Sequence, residues 1–209
     1  MEGVSVITKY FKNLDDLQLQ RFTQLGALYA TWNERVNLVS RKDIEHLYER
    51  HILHSLSIAR FIKFKPDVKV MDLGTGGGFP GIPLAICFPE VQFTLIDSIA
   101  KKMRVVEDLV QVLDLKNVST IVGRAENIKG SFDYVVSRAV APLSEIYAWT
   151  GKSIAKKQQH AMPNGIICLK GGDLRDELMP FKNRVEVHEI HDWFDEEFFE
   201  TKKLVYLPC

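Results

Sequence analysis

Residues 71–84, MDLGTGGGFPGIPL, carry five glycines and two prolines directly behind an apolar run, with Asp72 just ahead of them. Glycine loses more backbone freedom on folding than other residues, so such a cluster implies a sharp turn or a close-approaching ligand. Two readings follow: a glycine-rich strand-to-helix turn, or a loop that holds a nucleotide-type cofactor. Asp97 ends the next apolar segment, in LID. An acid there suits the two hydroxyls of a ribose, and equally suits capping of the helix that follows. A literal G-x-G-x-x-G occurs as Gly76, Gly78 and Gly81. The glycine that turns off the strand, however, is Gly74, and from it the pattern runs G-x-G-x-G-F, with Phe79 where a dinucleotide fingerprint needs its third glycine. Pro80 then suits the first turn of a helix. Loop and acid together favour a nucleoside cofactor other than a dinucleotide.

The surrounding pattern shows what must position these residues. Phe22, Leu25, Leu28, Tyr29, Trp32 and Val36 recur at helical spacing between Asp15 and Val36. A second helix is expected from about Asp43 to Phe61, with Ile44, Leu47, Tyr48, Ile52, Ser55 and Ala59 on one face, and Pro66 closes the helical section. From there strands and helices alternate: VKVMDL, VQFTLID, VSTIVG, FDYVVSRA and GIICLKG read as strands. PGIPLAICF, SIAKKMRVVEDLVQVLDL and PLSEIYAWTGKSIAKK read as helices. That rhythm means a parallel sheet covered on both faces. RVEVHEIHDW and KKLVYL, either side of an acidic turn, read as a terminal hairpin. Ligands of such sheets bind beyond the carboxyl ends of the strands, which is where Gly74–Gly78 falls.

Composition narrows the partners. The 209 residues suffice for one α/β unit with an appendage. Lys+Arg and Asp+Glu both number 27, which argues against indiscriminate binding of naked nucleic acid, DNA included. Cys87, Cys168 and Cys209 form no CxxC pair, so reduced thiols are expected and no metal site. With no apolar run of membrane-spanning length and no signal-peptide layout, the expectation is a cytoplasmic protein without a membrane partner.

The stretch Asp72-Leu-Gly74-Thr-Gly76-Gly-Gly78 resembles motif I of the class I S-adenosylmethionine-dependent methyltransferases. The implied fold is α/β, a Rossmann-like doubly wound sheet, with an N-terminal helical cap over 1–65, a methyltransferase core over 66–209 and a C-terminal antiparallel hairpin. Beyond that motif, GTGGGFPGIPLAI, LIDSIAKKMR, GRAEN and VSRAVAPL occur in order, with TWNERVNLVS and ERHILHSL upstream. Together they resemble the bacterial small-subunit (16S) rRNA guanine-N7 methyltransferase family, the GidB family, over about residues 30–172. The resemblance implies S-adenosylmethionine as cofactor, contacted by Gly74, Phe79, Ala125, Glu126 and Arg138, alongside Asp97. It implies 16S rRNA as substrate, met within the small ribosomal subunit by a monomer.

Ala125 and Glu126 follow the third strand, where an adenine is expected. Arg138 ends the fourth strand, beside the cofactor carboxylate or the target base; alternatively it bridges to Glu126 or Asp133 as a surface arginine. The family block R-H-I-L-D-S departs here, with His54 in the aspartate's place. Arg50, His51 and His54 either line the cleft or cap and pack the helices. Guanine N7 has a lone pair and no proton to lose, so the implied reaction needs no general base, and no catalytic residue is assigned. Proximity and orientation would carry the rate. Lys101, Lys102, Arg104, Lys152, Lys156 and Lys157 are either guides for phosphates or solvated helix faces.

Overall fold

Asp15 opens the long N-terminal helix reciprocally: its side chain accepts from Gln18 N–H at 2.7 Å while the Gln18 side chain accepts from Asp15 N–H at 3.0 Å. In the computed structural model, which describes residues 3–40, 42–128, 130–158 and 160–209, this helix is α2 (Asp16–Asn33). A short helix, α1 (Ser5–Tyr10), precedes it and was not legible as a helix in the sequence. It is docked by Lys9 and Tyr10 on Glu196, at 2.9 and 2.8 Å.

The expected helix over 43–61 is not uniform. A 3-10 turn (Ile44–His46) leads into a π-helical stretch (Leu47–Leu53) and then α3 (His54–Phe61). In the π stretch the His54 N–H reaches back to Glu49 O rather than to the usual carbonyl one residue later. Such widened turns are rare and concentrate at functional sites. This one carries Arg50 and His51.

The core sheet comprises β1 (Lys69–Leu73), β2 (Gln92–Asp97), β3 (Val118–Val122), β4 (Tyr134–Arg138), β5 (Gly165–Gly171), β6 (Glu186–Glu189) and β7 (Lys202–Pro208). Its order is β3-β2-β1-β4-β5-β7-β6. β1 to β5 pair in parallel, and β7 inserts antiparallel between β5 and β6. α4 (Gly81–Cys87), α5 (Ala100–Val112), α6 (Leu143–Thr150) and α7 (Arg175–Leu178) connect the strands. The expected hairpin is present as the β6–β7 pair, but its second strand does not alternate polar and apolar. Leu204, Val205, Tyr206 and Leu207 are all buried, because β7 is an interior strand covered on both faces. Nor is its connection a simple acidic turn. Two 3-10 segments, Ile190–Asp192 and Glu197–Thr201, bring Phe194 and Phe199 into the core. α6 is also shorter than expected: past Ser153 the chain leaves the helix so that Ile154 can bridge to Phe132.

The cap helices are built into one face of the sheet. Ile7, Phe22, Leu25, Tyr29, Leu53 and Leu56 share a single apolar core with Val70, Leu95, Val136 and Leu204. Burial of this kind stabilises by about 1.5–3 kcal/mol per large side chain and leaves the cap little freedom to move as a body. Its consequence for the site is direct. Tyr29 Oη donates to Gly77 O at 2.7 Å and its ring stacks on Phe79, centroids 4.8 Å apart. Among the described residues no helix is long and apolar enough to cross a membrane, and no three His, Cys, Asp or Glu side chains gather as a metal site.

Candidate active site

The glycine loop leaves β1 with three residues in the left-handed region: Gly74 (φ 65°), Gly76 (φ 57°) and Gly78 (φ 97°). Side chains other than glycine are disfavoured there, which explains the cluster. Space forbids a side chain as well. A Cβ on Gly74 would meet Val140 Cγ2 at 2.5 Å, and one on Gly81 would meet Asp72 Oδ2 at 2.6 Å.

Asp72 organises the loop from below. Its Oδ2 accepts from Thr75 Oγ1 at 2.6 Å and from Gly81 N–H at 2.8 Å, while Oδ1 is buried without a partner among the described residues. Burial pushes this carboxyl up from 3.8 to about 7, against the pull of Thr75, Gly81 and Arg138. An acid whose folded pKa exceeds its unfolded value keeps its proton in the folded state longer. It therefore destabilises the fold progressively as pH climbs through that interval. Asp72→Asn retains an acceptor for Thr75 and Gly81 but cannot ionise. The wild-type melting temperature should fall relative to that of the variant as pH rises from 3.8 to about 7. A difference that stays flat across this range would show Asp72 to be ionised throughout.

Asp97 braces the loop from the side. Its Oδ2 accepts from Gly76 N–H at 2.9 Å, and its Oδ1 accepts from Ile99 N–H at 2.8 Å, ahead of α5. The two readings of this acid are therefore not exclusive. It tethers the entry to α5, and it also lines a cavity of about 290 Å³ together with Gly74, Ala125, Glu126, Val140 and Trp149. Ala125 and Glu126 lie on a 3-10 turn (Ala125–Asn127) after β3, at the carboxyl edge of the sheet. Four of the six expected site residues, Gly74, Asp97, Ala125 and Glu126, thus come together.

The other two lie elsewhere. Arg138 lines a second cavity of about 560 Å³, and Phe79 lines neither cavity but lies buried beneath the Arg138 guanidinium, which sits 4.9 Å from its ring centroid. The segment from Arg138 to Val140 divides the two spaces: Val140 faces the first and Ala139, at φ 54°, the second. Bridging of Arg138 to Glu126 or Asp133 is not found. Instead its Nη1 donates to Arg50 O at 3.3 Å and its Nη2 to His51 Nδ1 at 3.0 Å. No carboxylate lies within ion-pairing distance among the described residues, and burial pulls its pKa down to about 10. Burial together with Arg138 pulls His51 down to about 3, so this ring is neutral and accepts at Nδ1.

Arg50, His51 and His54 all line the second cavity, which favours the cleft reading for them. Sequence reasoning missed its other walls: Asp43, Lys170, Phe198 and Lys202. Asp43 pairs with Arg50 at 3.1 Å, and Lys170 with Glu177 at 2.8 Å. Lys202 stands 4.5 Å from the Phe198 ring centroid, on the opening of β7. Phe198 stood in the sequence just past the acidic turn Asp195–Glu197, with nothing in its neighbours to signal a pocket.

Parallel strands β1–β5 with an antiparallel β7 inserted before β6, a glycine loop after β1 and an acid at the end of β2 define a class I S-adenosylmethionine-dependent methyltransferase fold. The inserted strand separates it from the parallel dinucleotide-binding order. A methyltransferase crystal structure from Aquifex aeolicus has the same fold, with a TM-score of 0.59 at 15% identity over 81% of this chain and 98% of that one. The sequence profile described as "GidB: rRNA small subunit methyltransferase G" matches residues 18–205, and the chain belongs to that family. Proteins called ribosomal RNA small subunit methyltransferase G are 56% identical in Bacteroides thetaiotaomicron, over 97% of this chain and 98% of that protein, and 54% identical in Flavobacterium johnsoniae, over 97% and 96%. By family, then, it is an enzyme, a methyltransferase.

Proposed function

We propose that this enzyme transfers a methyl group from S-adenosylmethionine to N7 of a guanine in 16S rRNA, with the cofactor in the Asp97 cavity and the base in the Arg138 cavity. The observation that carries the reading is the pairing of two cavities across a single strip of backbone, Arg138–Val140. The residues fit the cofactor. Each Asp97 oxygen accepts one backbone N–H and retains a lone pair for a ribose hydroxyl. Gly74 offers bare backbone where a side chain would intrude. Ala125 and Glu126 close the far side for an adenine. When bound, the cofactor supplies an electrophilic methyl on a sulfonium. The chain's task is to hold N7 in line with it, since N7 has no proton to remove. Neutral His51 and the Arg138 fork suit positioning, and nothing in the cavity is required to act as a base. Asp97→Asn keeps size but loses charge-assisted bonds worth about 1.5–3 kcal/mol, so the dissociation constant of S-adenosylmethionine should rise roughly 10-fold or more. Wild-type affinity in calorimetry would leave Asp97 with loop bracing alone.

The equal count of acids and bases supports a substrate recognised by shape within the small ribosomal subunit rather than through bulk charge. The polar side of the cap supplies a surface for docking, with Arg35, Lys42 and Glu45 exposed and Glu49 half-buried; Arg41, expected there too, lies outside the described residues. Methyl incorporation should be higher on small subunits than on extracted rRNA or a short guanine hairpin at equal concentration. The methylated atom is then mapped by N7-specific cleavage of the rRNA. A hairpin as good as the subunit would remove the docking surface from the reading, and methyl groups on another base atom would remove N7.

A further inference from the structure

His54 is the one side chain of the second cavity that is both buried, at 6% exposure, and left with an unpartnered ring nitrogen among the described residues. The imidazole opens α3, directly after the widened helical turn that carries Arg50 and His51. A neutral imidazole has one N–H and one bare nitrogen, and with Nε2 as the bare one the ring presents an acceptor to the cavity. Burial, with Arg138, Lys202 and His51 nearby, holds the ring neutral and so keeps the lone pair free. Phe198 stands edge-on to the imidazole, centroids 5.5 Å apart, and is itself half-buried on the short segment between β6 and β7. Lys202 and Arg50 flank the same ring, at 4.5 and 5.6 Å. Buried polar atoms are rarely left unmatched, and an acceptor held neutral beside an aromatic ring in a cavity of this size matches the donor edge of a planar base.

We propose that His54 determines base specificity: its Nε2 accepts a hydrogen bond from the donor edge of guanine, N1–H or the 2-amino group, while Phe198 turns aside to lie against the base. The assignment rests on the guanine reading above. Guanine's N7 and its donor edge lie at opposite ends of the purine, so one end can face the Arg138–Val140 strip while the other reaches the cap. Adenine and its relatives place an acceptor at N1, lone pair against lone pair. A site built to bond a donor rejects analogues that lack it.

Small subunits are reconstituted with rRNA carrying inosine, which lacks the 2-amino group, or 2-aminopurine riboside, which lacks N1–H, in place of the methylated guanosine. Both analogues keep N7. Wild type should discriminate against at least one of them by about 10-fold in kcat/KM, the size of one lost hydrogen bond. His54→Phe should lose that discrimination by slowing on guanine, and His54→Gln, which restores an acceptor, should regain it. Circular dichroism and cofactor binding of His54→Gln guard against misfolding. Equal rates of wild type on all three subunits, or full discrimination surviving in His54→Phe, would overturn the role of His54 and leave the rRNA reading intact. Absence of methyl transfer to any of the subunits would instead bring down that reading, and this assignment with it.

Discussion

Gly74→Val should lower S-adenosylmethionine affinity by on the order of 100-fold while the far-UV spectrum remains native. A side chain in the left-handed region costs about 1–2 kcal/mol, and forcing its branches against a packed neighbour costs about 1–3 kcal/mol more. The neighbour is Val140, whose Cγ2 would lie 2.5 Å from the new Cβ. The free protein can relieve the clash by letting the Arg138–Val140 strip shift, which deforms the cavity wall. Binding must reverse that shift, so the cost of about 3 kcal/mol reappears as lost affinity. Steric and conformational parts are separable. Gly74→Ala on a Val140→Ala background removes the closest contacts but keeps the unfavourable φ, and should bind about 10-fold more tightly than Gly74→Val. Calorimetry on the two variants and the wild type checks this. A folded Gly74→Val protein with unchanged affinity would move the cofactor away from this loop.

The second large effect is expected at Arg138. Arg138→Leu should depress methyl transfer at saturating cofactor by more than about 100-fold, because two hydrogen bonds from a charged donor, worth about 1.5–3 kcal/mol each, hold Arg50 and His51 on the wall of the second cavity. The cation over Phe79 adds about 0.5–2 kcal/mol. Arg138→Lys keeps the charge but not the two-pronged fork, and should recover only a small part of the rate. Thermal melts should shift down by several degrees for Arg138→Leu, at about 2–4 °C per kcal/mol for a chain of this length. The measurement that assigns the role is the division between kcat and cofactor affinity. A loss confined to affinity would place Arg138 on the cofactor's carboxylate instead of on the base side.

Much of this molecule was legible along the chain because the relevant signals are local. The interior parallel strands β1, β2, β4 and β5 are short, mostly apolar runs that announce burial without reference to their partners, whereas β3 at the sheet edge is only half-buried. The glycines at 74, 76 and 78 are required by their own backbone angles, so motif and conformation coincide. Asp97, Ala125 and Glu126 follow from strand ends, which a parallel sheet necessarily gathers at one edge. The family blocks carried the activity.

What the chain alone left undecided depends on contacts between distant segments. Phe79, read in the sequence only as a cofactor residue, also supports Arg138 from beneath, with Tyr29 of the cap stacked on it. The π-helical turn at Leu47–Leu53 has the same apolar spacing as a regular helix over so few residues, and periodicity does not separate the two. Phe198 and Lys202 reach the second cavity only because β7 inserts beside β5, an ordering set by pairing across the sheet. The sequence by itself determined the fold class, the glycine loop and the family; tertiary structure decided that the candidate site is two cavities divided by one strip of backbone. The physical reason is that backbone conformation and burial are written residue by residue, whereas a pocket wall is whatever surface is left when remote segments close around the core.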